Sequence, residues 1–338
     1  MWTEEKLDEL LTEPSPALVE DIKRITGDIM VLGAGGKMGP TLCILIKNAI
    51  CRAGTDKRVI AVSRFSDPIS AGLLQKHGVE TISCDLMDTQ KLRTLPETEN
   101  VIFMAGRKFG TDGLEWQTWA TNATLPAFVA EKFQKSRIVA FSSGNIYPIV
   151  PLSSGGCVET DKTGPVGEYA MSCLARERAF EYAANRYGTN VFLYRLNFAV
   201  DLRYGVLFDM ADKIMKGEPI SIATPCLNCI WQGSANEIAV RGLLHASSPA
   251  KIMNVTGPET VSIQKAARML GEYLGKQPVF EGEPGADAYL NDSAEAMEIF
   301  GYPSVSIRTL IRWQAEWILD GGRSLGKPTH FEERKGSY

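Results

Sequence analysis

Gly33, Gly36 and Gly39 recur at three-residue spacing, with Gly35 among them and Lys37 and Met38 filling the last interval. Glycines spaced in this way let a backbone approach a ligand closely. Where a helix starts, successive N–H groups and the helix dipole can hold a pyrophosphate. The chemistry on offer is dinucleotide binding, which needs a strand before the glycines and a helix after them. Both are written in the chain: Ile29-Met-Val-Leu32 is a short apolar run, and Thr41 to Ile50 is apolar and of helix length. The next apolar run ends in Ser63-Arg64, with no carboxylate before Asp67. A carboxylate there would bond the ribose 2′-hydroxyl of NAD, whereas a small polar residue with an arginine suits the 2′-phosphate of NADP. NADP is therefore favoured over NAD, the competing reading of Arg64 being a solvated loop residue.

Other candidate chemistry is thinner. Cys226-Leu-Asn-Cys229 has the spacing of a metal or redox pair, but His77, His245 and His330 are remote in sequence and no second pair accompanies it. Zinc sites normally draw on four ligands, so no metal is expected and two small apolar side chains are the simpler reading. The seven cysteines are scattered through apolar segments, as in a reduced, cytoplasmic protein. Net charge is −4 with no basic run, which argues against a nucleic-acid partner. No apolar run reaches the roughly 18 residues of a membrane helix. The first residues are acidic and amphipathic, unlike a secretory signal or transit peptide.

The elements that must position the glycine turn follow from periodicity. Apolar runs at Arg58–Arg64, Val79–Leu86, Val101–Gly106, Arg137–Ser143 and Val191–Phe198 alternate with helical segments, among them Pro68–His77, Thr89–Leu95, Glu115–Gln134 and one opening at Glu168. Such alternation predicts an α/β fold, a Rossmann-type doubly wound parallel sheet with helices on both faces. Residues 1–27 read as two short helices on the outside of the domain, broken at Pro14 and Pro16. Residues 28–200 read as the NAD(P)-binding domain. Residues 201–338, where the alternation loosens, read mainly as a smaller C-terminal substrate lobe with a final helix and tail.

In order, the residues resemble an extended short-chain dehydrogenase/reductase of the NAD(P)-dependent epimerase/dehydratase kind, from about Asp28 to Leu319. The resemblance rests on the glycine motif, Cys84-Asp85-Leu86, Met104-Ala105-Gly106, Asn122 and Phe141-Ser-Ser-Gly-Asn-Ile-Tyr147. It continues through Tyr169 opening a helix, Arg195-x-Asn197 after a strand, and Asn254-Val-Thr-Gly-Pro-Glu-Thr-Val-Ser-Ile263. It implies cofactor contacts at Gly33, Gly36, Lys37, Met38, Gly39, Ser63, Arg64, Asp85 and Leu86. Further contacts would come from Met104, Ala105, Gly106, Asn122, Tyr169 and Asn197. It also implies a homodimer through the helices after the fourth and fifth strands.

The family chemistry moves a proton through a tyrosine while hydride passes between substrate and nicotinamide. A serine orients the substrate oxygen, and a lysine four residues after the tyrosine lowers its pKa. The matching positions are Ser143 and Tyr169, but the lysine position holds Cys173. A neutral thiol stabilises a tyrosinate poorly and is a weak hydrogen-bonding group. Three readings compete: a catalytically silent dinucleotide-binding scaffold or redox sensor, a substitute cation among Arg107, Lys108 and Arg176, or Cys173 acting as a nucleophile. The expected function is an epimerase, dehydratase or reductase acting on a sugar-like or other small hydroxylated substrate. Arg107, Lys108, Ser143, Asn145, Arg195, Trp231 and Gln232 are substrate candidates. For Trp231 a core position, and for Arg195 a structural ion pair, are equally good readings. Relatives acting on nucleotide sugars commonly carry an arginine near Trp231 and Gln232 that grips a diphosphate. This chain has none there.

Overall fold

The computed structural model describes residues 1–108, 113–327 and 329–336. Its centre is a seven-stranded sheet in which every neighbouring pair is parallel. The strands are β1 (Ile29–Leu32), β2 (Val59–Ser63), β3 (Glu80–Ser83), β4 (Asn100–Phe103), β5 (Arg137–Ser143), β6 (Val191–Leu196) and β7 (Lys251–Val255), in the spatial order β7-β6-β5-β4-β1-β2-β3. The order reverses between β1 and β4. In open parallel sheets that reversal leaves a crevice beyond the strand ends, and ligands bind there.

All four residues of β1 are fully buried, as a strand covered on both faces must be. Its side chains alternate between two cores. Ile29 and Val31 pack with helices α2 (Pro16–Arg24) and α3 (Gly39–Ala53), whereas Met30 and Leu32 face Leu125, Val129 and Phe180. The other helices over the sheet are α4 (Pro68–Lys76), α5 (Thr89–Thr94), α6 (Glu115–Trp119), α7 (Leu125–Lys132) and α8 (Gly167–Tyr187). The helix expected over Glu115–Gln134 is interrupted by a π-turn at Ala120–Thr124, which carries Asn122.

After β6 the chain builds a lobe and returns once to the sheet as β7. Helices α9 (Val206–Lys216), α11 (Ile263–Leu274) and α13 (Ile307–Leu319) form this lobe, whereas α10 (Gln232–Arg241) and α12 (Ala294–Phe300) pack into the sheet core. The lobe's own apolar core gathers Leu207, Met210, Ile263, Leu270, Ile311 and Trp317.

The first 27 residues differ from a surface appendage. Helix α1 (Glu4–Thr12) sinks Leu7 and Leu11 into the lobe core, while Leu18, Ile22 and Ile25 around α2 enter the sheet core, all fully buried. Each helix has a side-chain N-cap, Thr3 accepting from the Lys6 N–H and Ser15 from the Leu18 N–H. Arg203 bonds Glu4 and Asp8 of α1, and also Asp201. The segment thus ties lobe to sheet.

Candidate active site

The glycine turn sits on the crevice at the end of β1. Gly33 has φ +89°, and a Cβ on it would stand 2.6 Å from the Ala105 nitrogen after β4. A Cβ on Gly39 would lie 2.2 Å from the Ala34 carbonyl oxygen. Only glycine permits that backbone path and the close start of α3. Ser63 abuts the turn, its Oγ 2.6 Å from where a Gly35 Cβ would be, and Arg64 is exposed at the β2 end. Asp67 is occupied as the N-cap of α4, accepting from the Ile69 N–H, and Asp85 accepts from the Met87 N–H. Leu86 is buried.

Ser143 closes β5 and caps the following turn by accepting from the Asn145 N–H, while its hydroxyl donates to the Asn145 side chain at 3.1 Å. Helix α8 presents Tyr169 and, one turn later, Cys173 on the same face. The Tyr169 hydroxyl hydrogen-bonds the side chains of both Ser143 and Cys173. Burial pushes the phenol well above its ordinary range. The adjacent Cys173 sulfur adds to that shift, while Arg176 and Ser143 oppose it. Burial also raises the Cys173 thiol. At neutral pH both groups keep their protons.

The three candidate substitute cations separate. Arg176 is buried, donating to the Phe141 carbonyl at 2.7 Å and to Asn122 at 2.8 Å. It lies under Gly106, where a Cβ would come 2.8 Å from the guanidinium. Asn122 also accepts from the Arg107 N–H and donates to the Arg107 carbonyl and Ser172 hydroxyl, so its amide braces the β4 end against α8. Arg107 donates to Gln117. The Lys108 ammonium lies 5.7 Å from the Tyr169 ring centre. Burial pushes Lys108 down to about 8, with Cys173 and Asp209 acting in the opposite direction.

A cavity opens beside this pair, lined by Lys37, Met38, Lys108, Ser143, Asn145 and Tyr169, and on its other side by the segment Leu196–Ala199 and by Tyr204. The Lys37 ammonium stacks over the Tyr204 ring, 3.5 Å from its centre, and burial pushes it down to about 7. Two buried polar atoms of residues lining this cavity have no hydrogen-bond partner among the described residues, Ser142 Oγ and Asn197 Nδ2. Buried polar groups are normally paired, and these two lie beneath the cavity lining without accessible surface of their own.

Four sequence candidates lie elsewhere. Arg195 is a structural ion pair, bonded to Glu177 at 2.8 and 3.0 Å and to the Glu159 carbonyl, with Tyr147 as a further acceptor. Trp231 is 3% exposed and packs edge-to-face on Trp313, a core position. Gln232 is fully buried and donates to Thr41 on α3. Arg107 does not line the cavity. Cys226 and Cys229 are held in apolar surroundings that raise both thiols, and no cluster of three metal-ligating side chains occurs among the described residues.

Sequence reasoning missed Tyr204, Phe198 and Thr329. Phe198 adopts φ +44°, a strained conformation of the kind that collects at functional sites, and it lines the cavity. Thr329 reaches the cavity from the tail, where its N–H and hydroxyl donate to Asp209. No local pattern announces either contact.

Solved structures share this architecture. UDP-glucuronic acid 4-epimerase from Bacillus cereus in complex with NAD aligns with TM-score 0.70 at 18% identity, over 87% of this chain and 99% of that one. UDP-glucose 4-epimerase from Thermotoga maritima with UDP-glucose gives 0.68 at 18%, over 87% and 99%. The Thermus thermophilus UDP-glucose 4-epimerase complex with NAD gives 0.67 at 18%, over 86% and 98%. At such identities the likeness shows the fold. No curated protein matches the sequence. The family profile described as the NAD dependent epimerase/dehydratase family matches residues 29–253, two thirds of the chain and the whole span from β1 to β7. With the glycine turn on the crevice and the Ser143–Tyr169 pair beside it, the chain belongs to the NAD dependent epimerase/dehydratase family.

Proposed function

We propose that the protein is an NAD(P)-dependent oxidoreductase of the epimerase, dehydratase or reductase type, acting on a sugar-like or other small hydroxylated substrate. The observation that carries the reading is the hydrogen bond between Tyr169 and Ser143 at the mouth of the crevice. The glycine turn fits a dinucleotide, with Gly33 to Gly39 against its pyrophosphate and Asn197, in the cavity lining, near its nicotinamide end. A bound nicotinamide supplies the hydride donor or acceptor.

This chain's residues handle the proton. Tyr169 stays protonated at neutral pH, so it acts as a general acid toward a substrate carbonyl oxygen, and Ser143 orients that oxygen. The site is biased toward carbonyl reduction. Arg176 is the cation that opposes burial and Cys173 at the Tyr169 phenol and so lowers the cost of the tyrosinate left behind, a role that the Cys173 thiol is unsuited to fill. Ser63 and Arg64 support NADP as the preferred form.

We further place the protein in the cytoplasm as a homodimer. The exposed Trp116 on α6 and Met171 and Tyr182 on α8 support a contact through these helices. Among the described residues no helix is long and apolar enough to cross a membrane.

The deciding experiment is Tyr169→Phe, assayed for NADPH-linked reduction of a responsive sugar ketone. A fall of about 100-fold or more, with NADPH binding unchanged, is expected for loss of a general acid. Full turnover without the hydroxyl refutes the catalytic reading. The buried, neutral Cys173 favours one competing reading, a silent dinucleotide-binding scaffold or redox sensor. It holds if turnover is absent in the native chain and appears in Cys173→Lys.

A further inference from the structure

One wall of the site comes from neither the sheet nor a lobe helix but from residues 329–336. At the near end of this segment, Thr329 lines the cavity beside Tyr169. Its N–H and hydroxyl donate to Asp209 of α9 at 2.8 and 2.5 Å. A second cavity lies against the same segment, lined by Asp212 and Lys213 of α9 and by His330 and Phe331. Residues 329–331 therefore stand between the two cavities. The segment is pinned along its length. Phe331 is 3% exposed and belongs to the lobe core. Arg334 donates to the Ala223 and Asp287 carbonyls at 3.2 and 3.0 Å and pairs with the Asp287 carboxylate. At the far end, a Cβ on Gly336 would stand 2.4 Å from the Val166 carbonyl oxygen, and a Cβ on Gly167 2.4 Å from the Gly336 oxygen. Gly167 opens α8 two residues before Tyr169. The segment thus crosses from α9 to the helix that carries the reacting tyrosine. His330 holds φ +51° within it, a conformation that a non-glycine residue keeps only where its surroundings enforce it.

We propose that residues 329–336 form a specificity strap. Seated, the strap confines the molecule reacting at Tyr169 to the size of a single sugar; lifted, it joins the two cavities and admits a larger one. The inference rests on the functional reading above, in which the substrate faces Ser143–Tyr169. Selection of this kind works by obstructing what does not fit rather than by gripping what does. Trp231 and Gln232 are packed into the interior and leave no grip for a nucleotide diphosphate there, in keeping with a substrate that carries no nucleotide. The Arg334 and Gly336 anchors lie outside the cavity lining. Weakening either one loosens the strap without altering a residue that faces the substrate, and segments held by few side chains open locally before the core does.

The test reads access to the cavity through Lys37, which lines it and whose ammonium burial pushes down to about 7. Full-length protein, loaded with NADPH to occupy the glycine-turn side, is labelled near pH 8, where an ordinary lysine stays protonated. The reagents are acetic anhydride and, separately, the bulkier trinitrobenzenesulfonate. Mass spectrometry compares Lys37 with the exposed Lys76. Native protein is expected to acetylate at Lys37 and to resist the bulky reagent there. Arg334→Ala is expected to speed bulky labelling of Lys37 about tenfold or more, the weight of lost hydrogen bonds from a charged group, with acetylation nearly unchanged. Gly336→Ala, whose Cβ meets the Val166 carbonyl, acts in the same direction, and Arg334→Lys restores protection. Equal labelling of native Lys37 by both reagents, or no gain in either folded variant, overturns the proposal. The readout is independent of turnover, so a fully active Tyr169→Phe protein sinks the functional reading and leaves the labelling result standing. Failure of wild-type protein to take up NADPH likewise counts against that reading, and labelling of unloaded native and variant proteins still reports on the strap. Thermal melting of each variant confirms that it is folded.

Discussion

Burial first, and then the residue four positions on, hold the Tyr169 phenol well above its ordinary range. Cys173 gives the phenol a hydrogen-bonding neighbour that raises its pKa, where an ammonium would lower it. Cys173→Lys is therefore expected to move the alkaline limb of the pH–rate profile for carbonyl reduction to lower pH, because Tyr169 then loses its proton sooner. An unmoved limb would mean that another group controls protonation. At the β2 end of the crevice Arg64 is exposed, as a partner for a 2′-phosphate must be. Arg64→Ala is expected to weaken NADPH binding about tenfold while leaving NADH binding nearly unchanged, since a charged hydrogen bond contributes about 1.5–3 kcal/mol. Equal loss for both nucleotides, read by protein fluorescence, would remove the NADP preference.

Among the elements, α1 and α8 do more than their sequences advertise. Helix α8 carries Tyr169 and Cys173 toward the cavity, with Arg176 and Glu177 a turn beyond, bonding respectively to the β5 carbonyl and to Arg195. Its position is thereby locked to β5 and β6, and the Tyr169–Ser143 geometry with it. Helix α1 is a clamp on the lobe, through fully buried Leu7 and Leu11 and through Glu4 and Asp8 on Arg203. Leu11→Ala removes buried methyl groups from a packed core and is expected to cost about 2–5 kcal/mol of unfolding free energy. Chemical denaturation measures this directly, and a loss below about 0.5 kcal/mol would mean that α1 is dispensable to the lobe.

For the whole molecule, the buried Lys37 has a stability cost with a definite pH signature. The folded chain pushes Lys37 down to about 7 from 10.5, mainly by burial, with Lys108, Lys327 and Arg203 acting the same way and Asp201 opposing. Between those pH values the unfolded chain binds the proton that the folded chain has released. Stability gained from this group therefore rises with pH across that window, and the full penalty applies below it. Lys37→Met is expected to raise the melting temperature most at pH 6 and least near pH 10. A gain that does not change with pH would trace the effect to packing. Such a trade of stability for a charged ligand site is common where binding residues are buried.

The chain by itself determined the parallel α/β architecture, the glycine turn and the alternation of strands with helices. Those features are local: apolar runs of strand length, helix periodicity and glycines where no other residue fits the backbone. It also placed Ser143 and Tyr169 at element ends, through resemblance to a known pattern. What tertiary structure decided is which cations meet the tyrosine. Arg176, Arg107 and Lys108 are equivalent in sequence, yet Arg176 is buried and acts on the phenol, Arg107 bonds Gln117, and Lys108 lies 5.7 Å from the ring centre. Arg195, Trp231 and Gln232 turned inward for the same reason: a buried partner on another element claims each of them. Thr329 and Tyr204 join the site from distant segments, and the first helices reach two cores. Contacts between segments far apart in the chain have no periodicity of their own, so only the packed fold reveals them.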